Sequence, residues 1–517
     1  MSTQGLTHAN WSAADSAEFH AAYDSALRAA TNEATSRQWP IHVAGNWHHD
    51  RPVFSHTSPG DRSVALGSAT CANEGDVDAA VAAARAAYPS WRGLAVSDRL
   101  TLVRRLADLI DANRYRVAAY LSLEIGKNRY ESITEVQEAV ELLRFYADAA
   151  ESEDGFVTHY PPLGNEESVS VLRPYGVWAI LGPFNFPFAL TAGMSAAALI
   201  MGNTVVIKTP DLTPIAGVLL MELVESADFP VGVVNLLAGG AEVGKELTAN
   251  PEIAGAGFTG SMEVGQAIRR TLDGRPVVAE MGGKNAAIVM SSADLDVAAE
   301  AIARSAFRYS GQKCSACSRV FVHNRLTDQL AEAVAAQAAA MTRGTPWDKE
   351  TVVGPLINQA AGERIAAAFD AAARDARSFT VTEVPEELVD LGAYSGLGVA
   401  VDLPMGHGLL RQELFAPLVV FQSVSSVEEA ITATNDTPFG LTAGLYTSDR
   451  GEIEVFLDRI EAGVVYVNRS SGATTGAWVG HQSFGGWKGS GSTGANAHGA
   501  YYLHQFAREQ SRTVVAP

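Results

Sequence analysis

From about Asp76 to Glu151 apolar residues recur every three or four positions, in "VDAAVAAARAAY", "DRLTLVRRLADLIDANRYRVAAYLSLEIG" and "SITEVQEAVELLRFYADAAE". That spacing predicts a run of amphipathic helices. The period then changes: short β-rich runs, "GVWAILGP", "NTVVIKTP", "GVVNLLAGG" and "AGAGFTG", alternate with helical stretches such as "PIAGVLLMELVESA" and "AEVGKELTAN". Strand, helix, strand in succession predicts a doubly wound parallel sheet, with ligands at the carboxyl ends of its strands. A second alternating series starts near Asn285, with "AAIVMS", a helix over 294–307, "SRVFVHN", a helix over 327–341, and later "LLRQELFAPLVVFQSV" and "AGVVYVNRS".

The alternation in "EESVSVLRPY" predicts a hairpin arm, and the C-terminal "YYLHQFAREQSRTVV" is a candidate to pair with such an arm on another subunit. A lone arm would leave a strand edge unpaired, so a homo-oligomer, dimer or larger, is expected. The chain thus divides into an N-terminal helical arm (1–40), an α/β domain in two pieces (41–154 and 175–284), a second α/β domain (285–482), and an oligomerisation arm with C-terminal segment (155–174 and 483–517).

With 517 residues, 47% of them hydrophobic, the chain can bury more than one core. The Ala-rich, polar start does not resemble a secretion signal, and no apolar run approaches membrane-spanning length, so a cytoplasmic protein with no membrane partner is expected. A formal net charge of -20 argues against nucleic acid as a partner. Any anionic ligand must be held locally, by backbone N–H groups, hydroxyls or a single well-placed lysine.

Only Cys71, Cys314 and Cys317 occur, too few and too odd for a disulfide framework. The spacing of the last two, in "GQKCSACSR", admits a redox pair, half a zinc site or one nucleophile with a neighbour. No second Cys pair or nearby His pair completes a zinc site, and none is expected. The motif also precedes a strand deep in the chain, unlike a thioredoxin-type pair at a helix start. A single nucleophile or an inert buried pair remains. Two glycine-rich stretches are ambiguous: "GAGFTG" (255–260) is either a phosphate loop or a glycine-containing strand, and "FGGWKGSGSTGANAHG" (484–499) reads as flexible or tightly turning.

Several motifs run collinearly along the chain: "GPFNFP", "GNTVVIKTP", "FTGS", "EMGGKN", "GQKCSA", "ELFAP" and "PFGLTAGL". Together they resemble the NAD(P)-dependent aldehyde dehydrogenases. Ser315 after the cysteine, Asp211 three residues after Lys208, and "TTGAWVGHQSFGGW" narrow the likeness to the 1-pyrroline-5-carboxylate (L-glutamate γ-semialdehyde) dehydrogenase branch. Two departures stand out: extra residues between Arg469 and Thr475, and Ser483 where that branch usually has proline.

The resemblance implies an aldehyde dehydrogenase-like fold, with NAD bound by the first α/β domain and catalysis in the second. It implies NAD-dependent oxidation of a small aldehyde, L-glutamate γ-semialdehyde in proline catabolism; alternatives are another semialdehyde, an aliphatic or aromatic aldehyde, or a non-catalytic structural relative. By the same resemblance Cys314 is the nucleophile, Asn185 and the Cys314 N–H stabilise an oxyanion, and Glu280 is the base for thioester hydrolysis. Lys208 and Asp211 would hold the adenosine ribose, favouring NAD over NADP. Gly260 and Ser261 would meet the pyrophosphate, Gly282 would allow close approach, and Glu413 with Phe184 and Phe415 would frame the nicotinamide riboside. Phe186 and Phe484 would flank the substrate chain, while Ser315 and the N–H groups of Gly476 and Ala477 would bind its carboxylate without any net positive charge.

Overall fold

The computed structural model describes residues 16–515. Of the expected N-terminal arm, residues 1–15 lie outside that range; Ala17–Ala34 is helical, with Ser16 accepting the Phe19 N–H at its start. The helices expected downstream form as Glu74–Gly93, Val96–Ala112, Arg114–Ile125 and Arg129–Ser152.

Two seven-stranded sheets dominate. In the first, the strands run in spatial order Val277–Met281, Ile253–Gly260, Val177–Leu181, Thr204–Thr209 and Val234–Ala238, all parallel. An antiparallel hairpin, Ile41–Val43 and Asn46–His48, extends this sheet at the Val234–Ala238 edge. The parallel strands are apolar on both faces because helices cover both. After Val177–Leu181 the chain winds outward through two strands, then returns to the other side of Val177–Leu181 with Ile253–Gly260. The crevice between these two strand ends is the topological switch point, where ligands collect in such folds. The glycine run 255–260 is therefore itself a strand, ending at the N-cap of the helix Met262–Leu272.

Chain passes straight from the first sheet to the second through Gly282–Lys284. There Asn285–Val289 lies between Cys317–His323 and Thr442–Tyr446, with Leu418–Val424, Gly398–Val401 and the antiparallel Ser378–Val381 on one side and Val464–Val467 on the other. The helices expected over 294–307 and 327–341 are Leu295–Phe307 and Thr327–Ala340.

The third unit is a sheet in which Glu166–Pro174 is central. Residues Ala507–Val515 pair with it in the same chain, from Ala507 opposite Pro174 to Val515 opposite Glu166, and Val157–His159 takes its other edge. The C-terminal strand thus completes its own arm rather than needing another subunit's. The glycine-rich 484–499 is mostly turns and bends, in keeping with the tightly turning reading, and it is also tied to distant strands. Trp487–Lys488 pairs with Phe439–Gly440, and Ser490, fully buried, donates from Oγ to the Gly282 carbonyl at 2.6 Å while its own carbonyl accepts the Met281 N–H at 2.9 Å. One step back, Ser492 Oγ alone does both, donating to the Val277 carbonyl at 2.6 Å and accepting the Ala279 N–H at 2.8 Å. Its glycines serve close approach: a Cβ on Gly491 would lie 2.1 Å from the Gly486 carbonyl oxygen.

Candidate active site

A cavity of about 510 Å3 opens where the carboxyl ends of the first sheet meet the amino ends of the second. The first sheet contributes Phe184, Asn185 and Phe186 after Val177–Leu181, Gly260 and Ser261 after the glycine strand, and Glu280 and Gly282 at the end of Val277–Met281. Cys314 and Ser315 come from the turn before Cys317–His323. Glu413 and Phe415 precede Leu418–Val424, and Gly476, Ala477 and Phe484 follow Val464–Val467. Cys317 points instead into the second sheet's core, 1% exposed, and all three cysteines are free.

The turn that carries Cys314 is tightly specified. Tyr309, Ser310 and Gly311 all adopt left-handed backbone, and Ser310 Oγ donates to the Gly354 carbonyl at 2.7 Å. Gln312, fully buried, accepts the Ile357 N–H, and its carbonyl accepts Asn185 Nδ2 at 3.0 Å. An amide nitrogen has two hydrogens, so Asn185, which lines the cavity together with Cys314, keeps a second donor. Asn285 Nδ2 holds the carbonyls of Cys314 and Ala316 at 2.7 and 2.9 Å.

Burial pushes the Cys314 thiol up to about 12, with Glu413 and Glu280 adding to it. Burial also raises Glu280 well above the carboxylate range, and its Oε2 has no hydrogen-bond partner among the described residues. Glu413 is raised to about 7 by burial, while the Gly283 N–H, 2.9 Å away, and Lys284 pull it back. A Cβ on Gly282 would lie 1.8 Å from a Glu413 oxygen, so any other residue there would push that carboxylate aside.

Features that would suit a dinucleotide are present. The edge-on pair Phe184 and Phe415, centroids 5.6 Å apart, lines the cavity. Ser261 caps a helix whose N-terminus opens there. Lys208 and Asp211 do not line this cavity. They sit at the carboxyl end of Thr204–Thr209 near Cys71 and Gly240, where a Cβ on Gly240 would lie 3.7 Å from Asp211 Oδ2. Burial lowers Lys208, and Asp211 partly restores it.

The residues between Arg469 and Thr475 are built into the site. Thr474 Oγ1 donates to the Ser315 carbonyl at 2.7 Å, and Arg469 donates to the carbonyls of Thr475, at 3.0 Å, and Gly476. A trans peptide opposes its C=O and N–H, so the N–H groups of Gly476 and Ala477 face away from Arg469.

Sequence reading missed several cavity residues. Glu138, Arg304, Arg308, Lys313 and Trp478 all line it, so the substrate end is not free of positive charge as expected. On the helix Arg129–Ser152, Glu131, Glu135 and Glu138 share one inward stripe. Glu131 holds Lys313 at 2.8 Å, Glu135 holds Lys127 at 2.5 Å, and Glu138 lines the cavity, raised to about 7 chiefly by burial. Glu135 also accepts the N–H groups of Phe188 and Ala189, and Lys127 sits 3.2 Å over the Phe186 ring. Their i, i+4, i+7 spacing was the available signal, but it reads equally as a solvated face.

Glu135→Gln strands a wholly buried ammonium, and should cost about 3–5 kcal/mol in urea unfolding. The apolar double variant Lys127→Met with Glu135→Leu should recover most of it. A single variant as stable as the parent would show that the pair is not held as charges.

The profile of the aldehyde dehydrogenase family matches residues 47–511. A 1-pyrroline-5-carboxylate dehydrogenase of Bacillus pumilus (strain SAFR-032) is 34% identical over 495 residues, 93% of this chain and 94% of that one. A second from Bacillus subtilis (strain 168) is 32% identical over 488 residues, 92% of each. The crystal structure of 1-pyrroline-5-carboxylate dehydrogenase from Thermus with bound NAD superposes with a TM-score of 0.91 at 30% identity, covering 97% of both chains.

Proposed function

Since this chain belongs to the aldehyde dehydrogenase family, we propose that it oxidises L-glutamate γ-semialdehyde, the open form of 1-pyrroline-5-carboxylate, to L-glutamate with NAD in proline breakdown. The observation that carries this is the convergence of Cys314, Glu280 and Asn185 from two sheets on one cavity.

An aldehyde carbonyl does not release hydride. Attack by the Cys314 sulfur makes a tetrahedral thiohemiacetal whose oxyanion can. Asn185 Nδ2 and the Cys314 N–H donate to that oxygen. NAD, when bound, supplies the hydride acceptor. Loss of hydride leaves a thioester on Cys314, and Glu280 takes a proton from the water that attacks its carbonyl, releasing the acid and the thiol. Gly260 and Ser261 hold the pyrophosphate, Lys208 and Asp211 the adenosine ribose, and Glu413 the nicotinamide ribose, with Gly282 leaving room and Phe184 and Phe415 framing it. Ser315 and the N–H groups of Gly476 and Ala477 take the substrate carboxylate, between Phe186 and Phe484.

The chain acts as a homo-oligomer, supported by the outer edge of Ala507–Val515, which among the described residues has no strand beside it. Free thiols throughout suit the cytoplasm. Among the described residues no helix is long and apolar enough to cross a membrane.

Steady-state NADH formation tests the reading. With 1-pyrroline-5-carboxylate, kcat/KM should exceed that for aliphatic and aromatic aldehydes by at least about a hundredfold, since a site built to pair polar groups rejects substrates lacking them. Better turnover of the simple aldehydes would sink it.

A further inference from the structure

The adenosine end of the cofactor is assigned to Lys208 and Asp211, which lie beyond the cavity that gathers the reacting groups. Asp211 sits in a tight turn. The Thr213 N–H donates back to the Pro210 carbonyl at 3.1 Å, closing four residues between the strand Thr204–Thr209 and the helix Pro214–Ser226. That helix is pressed onto the strand's last residue, since a Cβ on Gly217 would lie 2.3 Å from Thr209 Cγ2. Where the helix begins therefore decides where the turn and its carboxylate stand.

The start of this helix is capped from elsewhere. Pro214 opens it, and Thr213 stands at the N-cap, a residue type that ordinarily caps through its hydroxyl. Here it does not: Thr213 Oγ1 is buried with no hydrogen-bond partner among the described residues. The first-turn N–H groups of Ile215 and Ala216 donate instead to the two oxygens of Glu124, at 2.6 and 3.0 Å, in the last turn of the helix Arg114–Ile125. Glu124 is wholly buried; burial raises its affinity for a proton, while His56 Nε2, 3.6 Å away, and the two N–H groups oppose that. A carboxylate in so dry a place is costly, and a local cap would have served the helix alone. Drawing the cap from another helix fixes the turn relative to that helix, which an N-cap hydroxyl cannot do.

We propose that Glu124 is a positioning residue for the adenosine end of NAD: by bonding the first turn of Pro214–Ser226 it holds the turn that carries Asp211 at the end of Thr204–Thr209. This rests on the reading above that Lys208 and Asp211 hold the adenosine ribose. Glu124 lies outside the cavity and touches no reacting group, so its effect falls on cofactor affinity and leaves the chemical steps alone. A glutamine in its place keeps the shape but offers one carbonyl oxygen and turns an NH2 toward the second N–H.

The test compares the parent with E124Q, E124D, D211A and, as a destabilised control in the core of the second sheet, L330A. For each, KM for NAD, the competitive inhibition constant of AMP, kcat at saturating NAD and the unfolding temperature are measured. E124Q should raise the NAD and AMP constants together, at least about fivefold, while kcat and the aldehyde KM stay within about twofold of the parent. E124D, which keeps both oxygens on a shorter stem, should fall between E124Q and the parent. L330A should lower the unfolding temperature and move neither cofactor constant. If D211A weakens AMP inhibition, then unchanged constants in E124Q and E124D, a loss confined to kcat, or an equal rise in L330A would overturn the inference and leave the ribose site standing. AMP inhibition untouched by D211A would sink the reading of that site, and the positioning role with it.

Discussion

Cys314→Ala is expected to abolish NADH formation from every aldehyde, a fall on the order of 10^6-fold in kcat if it behaves as other removed nucleophiles do. The cavity explains the size of the effect. Among the described residues no other thiol or amine of the cavity is placed to replace the sulfur: Cys317 is buried in the second core, and Lys313 is held by Glu131. Because the thiol is pushed up to about 12, it rests protonated at neutral pH. The thiolate fraction therefore grows as pH rises toward that value, and the first-turnover rate should climb through the neutral and mildly alkaline range. Rapid-mixing measurement of the first NADH checks this, alongside mass spectrometry for an acyl adduct at position 314. A folded Cys314→Ala protein that still produces NADH would remove the mechanism.

Glu280→Gln should separate the two half-reactions. If Glu280 serves hydrolysis, this variant still forms one NADH per site in a rapid burst, then slows by about 10^2 to 10^4-fold as the thioester accumulates on Cys314. Its unpartnered Oε2 and raised affinity for a proton suit a base that awaits water rather than a structural carboxylate. With its own ionisation displaced upward, deacylation in the parent should also gain speed as pH rises. A variant with no burst would assign Glu280 to thiol activation instead, and one with unchanged turnover would leave it no chemical role.

Much of the architecture was legible because its signals are local. "VWAIL" and "TVVIK" are short, largely apolar and β-branched runs flanked by Gly and Pro, which is how strands buried on both faces read. Asp294 precedes its helix as an N-cap, and its side chain accepts the Val297 N–H. Cys314, Glu280 and Asn185 were visible through collinear motifs, although nothing in the spacing of 185, 280 and 314 says that they meet. What escaped depended on distant partners. Arg304 and Arg308 look like the solvated side of an amphipathic helix until residues 473–475 are laid along it. Glu138 looks the same until the cavity opens beside it. The stretch 484–499 was legible only in part: its glycines and serines signal turns, which form, but not that glycine also admits neighbouring backbone and that serine supplies bonds to a distant strand.

Those serines tie the strand bearing Glu280 to a segment some two hundred residues downstream, since Ser490 and Ser492 supply the partner that this edge strand lacks among the described strands. During synthesis the sulfur leaves the ribosome long before that brace does. The nascent polypeptide cannot finish assembling its hydrolytic half until residues 490–492 have emerged, and a premature stop between the sulfur and the brace yields a protein with its nucleophile present and its acid-releasing step unsupported.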